Sequence, residues 1–408
     1  MPQQRARFLF VSDSIPENVR ESTHGIFQRM RLFLDALAKI GELQLLFYVP
    51  ERVAAMPDAE ARYTEEFERH WNLAASVQFC RREAPGRDPS ALTSLVTSPF
   101  GSATGGKEQV AALSRSLETD LSAVIFHRLS AAYPLLRVPK VTVPVLFDLD
   151  DVEHVAFFRS VLQPPVWASK LLWYCQLPGI ISLERRIAKL SYATFVCSSR
   201  DARYLRSVWR MPRVVTIPNA VDIPLRPEVA PTRTILFVGR FSYPPNAIAA
   251  DYLVKEIWRY VRAAFPDAQL LIVGAKPECI QAFHHRVPGV QFLGFVSDLA
   301  PLYARAGVVC CPIRSGSGTR VKIIEAASFG NAIVSTTLGA EGLEFEDGKE
   351  ILLRDDSETI AAACVALLTS SRKARDLGLA ARRKAEQLYD RKNVIDRIRG
   401  IVSEAIAS

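Results

Sequence analysis

Residues 307–337 read GVVCCPIRSGSGTRVKIIEAASFGNAIVSTT. Two short apolar runs, GVVCCPI and NAIVSTT, bracket a loop of Gly, Ser and Thr and a stretch whose apolar residues recur at helical spacing. That pattern is strand, loop, helix, strand, the repeating unit of a parallel sheet with its crossover helices packed on the faces. In such sheets ligands bind beyond the carboxyl ends of the strands, which is where the loop 314–319 falls. Gly316 and Gly318 let the backbone approach a ligand closely. The first N–H groups of the following helix are unpaired and carry the positive end of its dipole, which makes an anion site. Arg320 and Lys322 add two full cations at that same end, an arrangement that costs stability unless something negative sits there. Glu325, three residues beyond Lys322 and on the same side of the helix, can accept from ribose hydroxyls. The bland alternative is a flexible loop, a solvated Arg/Lys pair and a Lys322–Glu325 surface contact of roughly 0.2–0.5 kcal/mol. The loop is not the GxxxxGK[ST] phosphate loop, and no GxGxxG follows a strand, which argues against a nicotinamide dehydrogenase.

The same rhythm extends outward. TILFVGRF, AQLLIVGA, VQFLGFV and EILLRDD read as further strands of the second half, and NAIAADYLVKEIWRYVRAAF as an amphipathic helix with Leu253, Ile257, Val261 and Phe265 along one stripe. In the first half, ARFLFVSDS, ELQLLFYV, SAVIFHR and VPVLFDLDD are buried strands, and IFQRMRLFLDALAKIG is a helix stopped by Gly41. Residues 51–120 stay unassigned. Prolines 212, 218, 224, 227 and 231 mark a junction. The expected layout is α/β: two doubly wound Rossmann-like domains, 1–205 and 232–388, joined by a proline-rich linker at 206–231. A C-terminal helix at about 389–408 is expected to pack back on the first domain.

Composition bounds the function. The chain has 408 residues, of which 49% are apolar and 23% charged, the profile of a folded protein of two or three domains. Net charge is +8, which attracts anionic partners. No Lys/Arg block with interleaved aromatics suggests a nucleic-acid module, so none is expected as a partner. No apolar run is long enough to span a bilayer, and the FLFV after Arg7 is too short for a secretory signal. The expected location is cytoplasmic, at or near the inner face of the membrane. Seven cysteines without CxxC spacing read as buried thiols in a reducing compartment rather than a zinc site.

Taken in order, VTIPNAVD, ILFVGRFSYPPN, LLIVGA and VQFLGFVSDLAPLYARAGVVCCPIRSGSGTRVKIIEAASFGNAIVSTTLGAEGL resemble the donor half of the family-4 retaining glycosyltransferases, the glycosyl transferases group 1, with the GT-B fold. The resemblance is strong over roughly 214–345 and reaches the rest of the chain in layout. It implies a nucleoside-diphosphate-sugar donor, with Arg240 and Lys322 on the diphosphate, Glu325 on the ribose and Phe295–Val296 bordering the base. The loop residues Ser317, Gly318 and Thr319 would line the donor, and Arg320 would reach phosphate or acceptor. No cofactor is implied, because fixed cations do the work of a metal on the leaving group. Two departures stand out. The family's donor-sugar Glu, eight residues before the helix Glu, is replaced by Ser317. The family's Lys after VGR is missing, and Asn246 of YPPN reads as a helix N-cap.

On the acceptor side, PVLFDLDDVEH ends a strand in acids where the family often has a His. By spacing Asp150 takes that place, to accept a proton or orient a hydroxyl. The open alternatives are a DxD-like metal motif and a helix start with Asp150 or Asp151 as N-cap. His154 is a candidate replacement for the missing His. Gly25 resembles the family's glycine loop, with His24 beside it, and His127 ends another strand. Trp167, Trp173 and Tyr174 with Lys170, Arg185, Arg186 and Lys189 suit a lipid headgroup region, or else an ordinary core helix with a basic face. The expected acceptor is a glycan, glycolipid or lipid-linked sugar, with peripheral contact to an anionic membrane. The rival reading is a non-catalytic nucleotide-sugar-binding partner subunit.

Overall fold

The computed structural model describes residues 5–16, 19, 25–82, 106–162, 172–225 and 232–408. His24, Trp167, Lys170, Pro227 and Pro231 lie outside the described residues. The chain divides into two units, Met1–Pro218 with Val394–Ser408, and Asn219–Asn393.

The first unit holds a seven-stranded, all-parallel sheet of order β3-β2-β1-β4-β5-β6-β7. Its strands are β1 (Ala6–Ser12), β2 (Gly41–Val49), β3 (Ser76–Arg81), β4 (Ala123–His127), β5 (Val145–Asp150), β6 (Ala193–Val196) and β7 (Val214–Thr216). The continuous apolar runs form the central strands: Phe8 to Val11 and Val124 to Phe126 are at most 1% exposed. The helix Gly25–Ala38 buries Met30, Phe33, Leu34 and Leu37 as its periodicity predicts, and it buries Arg29 as well.

The second unit holds six parallel strands in the order β10-β9-β8-β11-β12-β13. They are β8 (Thr234–Val238), β9 (Gln269–Val273), β10 (Val290–Gly294), β11 (Val308–Cys311), β12 (Ala332–Ser335) and β13 (Leu352–Leu353). Both sheets reverse direction of growth beside their first strand, between β1 and β4 and between β8 and β11. That reversal opens a crevice at the strand ends. The helix predicted over 246–265 runs from Pro244 to Ala264 and is interrupted by a π-turn at Leu253–Ile257. Leu253, Ile257 and Val261 nonetheless all reach the core.

Three expectations need correction. The first domain does not end at 205, and residues 206–218 are not linker: β7 pairs with β6, so the first unit runs to Pro218. A three-residue strand beside prolines carries no periodic signal. The unassigned 51–120 stretch contains the helices Ala59–Trp71 and Lys107–Leu117 and the edge strand β3, whose mixed burial hid it. Of the cysteines, Cys175 and Cys279 are exposed rather than buried; none of the seven forms a disulfide. The last helix, Arg391–Ala407, buries Val394, Ile395, Ile398 and Val402, and from Val394 onward it groups with the first unit. Among the described residues no helix is long and apolar enough to cross a membrane.

Candidate functional site

In the second unit the loops after β8 and β11 flank the sheet's reversal point. Their backbones are brought in by glycine. Gly274 follows β9 with φ +143°, and a Cβ there would lie 1.8 Å from the Gly239 carbonyl oxygen. At Gly239 a Cβ would meet Lys322 Nζ at 3.1 Å and Asn246 Cγ at 3.1 Å. The missing side chains therefore make room for Lys322. Its Nζ donates to Asn246 Oδ1 at 2.8 Å and sits 4.6 Å from the centre of the Phe237 ring. Asn246 Nδ2 donates to the Arg240 carbonyl at 2.9 Å. Burial pushes the Lys322 ammonium down to about 8, and Arg320 pushes the same way against the pull of Cys311 and Glu325.

Asn246 is thus not the expected N-cap. The helix Pro244–Tyr252 is capped by Tyr243 without a side-chain bond, because two prolines occupy its first turn and need no acceptor. Asn246 is a tether between the two cationic positions. The exposed Arg240 itself donates from Nε to Ser242 Oγ at 3.0 Å.

The loop 314–319 is held open by its own residues. Gly316 and Gly318 have φ +94° and +79°. A Cβ on Gly316 would lie 2.8 Å from the Tyr243 hydroxyl, so this glycine serves loop-to-loop packing. Thr319 Oγ1 accepts from Asn219 Nδ2 at 2.8 Å. Arg320 does not reach outward as expected. It is buried, and its guanidinium donates to the carbonyls of Ser315, Ser317 and Gly318, which satisfies a turn of glycine backbone that would otherwise lack donors. The exposed loop cation is instead Arg314, stacked on Tyr252 at 4.7 Å. Glu325 Oε2 accepts from the Tyr303 hydroxyl at 3.2 Å, and Tyr303 is itself fixed by stacking on Phe329 at 4.8 Å. Phe295 is 42% exposed just past β10, and Val296 packs on the core.

In the first unit the acids of VLFDLDD meet a cation that the sequence reading did not single out. Arg29, fully buried, donates to both oxygens of Asp148 at 2.6–3.0 Å and lies 3.1 Å from Asp150 Oδ1. Its Nη1 donates to the Ile217 carbonyl at 2.9 Å. His127 Nδ1 lies 2.9 Å from the second oxygen of Asp148. His127 is completely buried and stacks on Phe10, and among the described residues its Nε2 has no hydrogen-bond partner. Asp148 is held below the usual carboxylate range by Arg29 and His127 against its own burial. Asp148 is thus engaged by protein partners, while the ligand atoms of Asp150, Asp151 and Cys197 lie within 4.8 Å of one another beside it. Asp150 is nearly buried and sits with φ +63° where β5 slips register against β6. Burial is the largest influence on it. Together with repulsion from Asp151 and Asp148 it raises Asp150 to about 7 despite Arg29.

Neither Asp150 nor Asp151 is an N-cap. That position belongs to Val152, whose side chain makes no cap. His154 also fails as a strand-end replacement. Its Nδ1 pairs with the buried Glu184 at 2.5 Å and its Nε2 with the Tyr204 hydroxyl at 2.9 Å, so both ring nitrogens are engaged. Gly25 is the first residue of its helix.

Residues 232–370 match the family model of the glycosyl transferases group 1. The resemblance to the glycosyl transferases group 1 read in the sequence holds over this segment. A phosphatidyl-myo-inositol mannosyltransferase of Mycolicibacterium smegmatis is 32% identical over 168 residues, which is 38% of this chain and 42% of that protein. Its namesake in Mycobacterium leprae is 30% identical over 191 residues, 43% of this chain and 50% of that protein. The chain thus spans half or less of the length of these curated relatives. Among solved structures, sucrose-phosphate synthase from Thermosynechococcus elongatus matches with a TM-score of 0.70 at 19% identity, over 99% of this chain and 100% of that one. The pneumococcal O-GlcNAc transferase GtfA, solved with UDP and GlcNAc, matches with a TM-score of 0.69 at 12% identity, over 99% and 100%. The fold is GT-B, with a glycosyl transferases group 1 segment in its second unit.

Sequence reasoning missed Arg29, Tyr303 and Arg314, and took Asn246 for a cap. Only Arg29 left a usable signal. It falls within the apolar stripe of its helix, beside Met30 and one turn before Phe33, so a cation was bound for the core.

Proposed function

We propose that this chain is a glycosyltransferase that moves a sugar, with retention of configuration, from a nucleoside-diphosphate sugar to a glycan, glycolipid or lipid-linked acceptor. One observation carries the reading. Lys322 is tethered by Asn246 at the start of a helix, beside a glycine loop at the sheet's reversal point, inside the segment that matches the glycosyl transferases group 1. The reaction breaks the bond between the anomeric carbon and the leaving phosphate oxygen and forms one from that carbon to the acceptor oxygen. Negative charge grows on the departing diphosphate, and fixed cations at Lys322 and Arg240 stabilise it with no metal in the scheme. The Glu325 carboxylate, oriented by Tyr303, takes the ribose, and Phe295–Val296 border the base. Ser317, Gly318 and Thr319 offer backbone around the donor, and Arg320 acts through the loop it braces. Asp150 receives or orients the acceptor hydroxyl's proton, and Gly25 starts the helix that carries Arg29.

A lipid-linked acceptor is supported by the names of the curated relatives, which act on phosphatidyl-myo-inositol. Phe158, Leu162 and Trp173, which are 39–52% exposed, support contact with an anionic membrane.

The test is a thermal-shift panel of UDP, GDP, ADP and TDP without added metal. At about 100 times its Kd a ligand stabilises the folded chain by ~2.7 kcal/mol. One winning base supports the donor site and narrows the sugar. Silence from all four, with magnesium or manganese added as well, sinks it. Binding without turnover of any matching donor sugar favours the partner-subunit reading instead.

A further inference from the structure

Arg29 serves two carboxylates at once. It grips Asp148 through Nε and Nη2 at 2.6–3.0 Å and touches Asp150 through Nε at 3.1 Å. Asp148 has a second donor in His127, whereas Asp150 lies at the more exposed edge of the cluster. The backbone holds both ends of the arrangement at positive φ, Arg128 at φ +74° just after β4 and Asp150 at φ +63° as the last residue of β5. Such strain persists only where the surroundings impose it, and it clusters at functional sites. Among the described residues, the charged and titratable groups facing Asp150 are Arg29 from the helix Gly25–Ala38, Asp148 and Asp151 from its own strand end, Arg128 just after β4, Cys197 just after β6 and Glu153 from the helix that follows. Arg128 is paired with Glu153 at 3.7 Å, which leaves Arg29 as the nearer cation.

We propose that Arg29 and Asp148 are positioning residues for Asp150: Asp148 draws most of the guanidinium's charge, and this division sets how tightly Asp150 holds its proton. The inference rests on the reading of Asp150 as the acceptor-side carboxylate. The physical reason is that an opposite charge at this range lowers a carboxylate's pKa, and a competing anion on the same cation cancels part of that effect.

The test is a carbon-13 NMR titration of the full chain labelled at aspartate carboxyls, with the Asp150 resonance identified by its loss in Asp150→Asn. Asp148→Asn is nearly isosteric and keeps an acceptor for Arg29. It frees the guanidinium for Asp150 and should lower the Asp150 titration by about 1–3 pH units. Arg29→Gln should raise it, and Arg29→Lys should bring it part of the way back, since an ammonium cannot bridge two carboxylates as the planar fork does. A merely structural role predicts lower melting temperatures without opposite movements of one titration. An Asp150 midpoint that stays put or rises in Asp148→Asn overturns the proposal, and so does one that stays put or falls in folded Arg29→Gln. If Arg29→Gln does not fold, Asp148→Asn decides alone. The titration needs no substrate, so failure of the donor reading shows separately in the nucleotide panel.

Discussion

Lys322 Nζ donates to Asn246 Oδ1 at 2.8 Å, across 76 residues of chain, and the same asparagine donates from Nδ2 to the Arg240 carbonyl at 2.9 Å. A long, flexible side chain is thereby held in one place before any anion arrives. Positioning of this kind removes ordering entropy from the binding step.

Lys322→Ala should weaken binding of the nucleoside diphosphate selected by the panel by about 1–3 kcal/mol, the range for a lost charge-assisted hydrogen bond. Asn246→Ala keeps the charge and loses its aim, and should cost less, about 0.5–1.5 kcal/mol. Isothermal titration of both variants checks the order. Equal affinity in Lys322→Ala and the parent chain removes the central site.

The depressed ammonium makes donor binding pH-dependent. Lys322 carries its charge below about 8 and sheds it above. A diphosphate favours the charged form, so affinity should be level on the acid side and fall as pH rises through that value, by up to ~tenfold per unit. Binding near the midpoint should take up protons, visible as a dependence of the measured heat on the buffer's ionisation enthalpy. A flat affinity across the range, in the parent chain and in Lys322→Ala alike, contradicts the assignment.

His154 should behave as part of the scaffold. Its replacement by Phe leaves the fully buried Glu184 without its ring partner and should cost about 1–3 kcal/mol of stability. Nucleotide affinity should not change. Loss of affinity at unchanged melting temperature would return His154 to the site.

Membrane contact is tested by replacing Phe158, Leu162 and Trp173 with Ser. Each large apolar side chain that leaves water contributes about 1.5–3 kcal/mol, so the triple variant should lose co-sedimentation with phosphatidylglycerol vesicles. Nucleotide binding should remain. Vesicle binding that survives the change places the contact elsewhere.

Much of this was legible in the chain itself. The strands of both sheets that are buried on two faces announce themselves as unbroken apolar runs, so β1, β4, β5, β8, β9 and β11 were readable in place. The short or half-exposed strands β3 and β7 were not, because neither alternation nor a long apolar run marks them. Of the donor residues, Lys322 and Glu325 stood out because charge at a helix start is locally conspicuous. Arg320 misled for the same reason: the chain shows a cation but not the carbonyls it turns back to meet.

What the sequence determined by itself is therefore the alternation of elements, the parallel sheets and the loop where an anion belongs, since each follows from periodicity, glycine and charge within a few neighbouring residues. Only the tertiary structure decided which charges are used up. Arg29 meets Asp148 across 119 residues, His154 meets Glu184 across 30, and Asn246 meets Lys322 across 76. A buried charge must find a partner because desolvation is costly. That demand is visible in a sequence, but the identity of the partner depends on which strand ends the fold brings together.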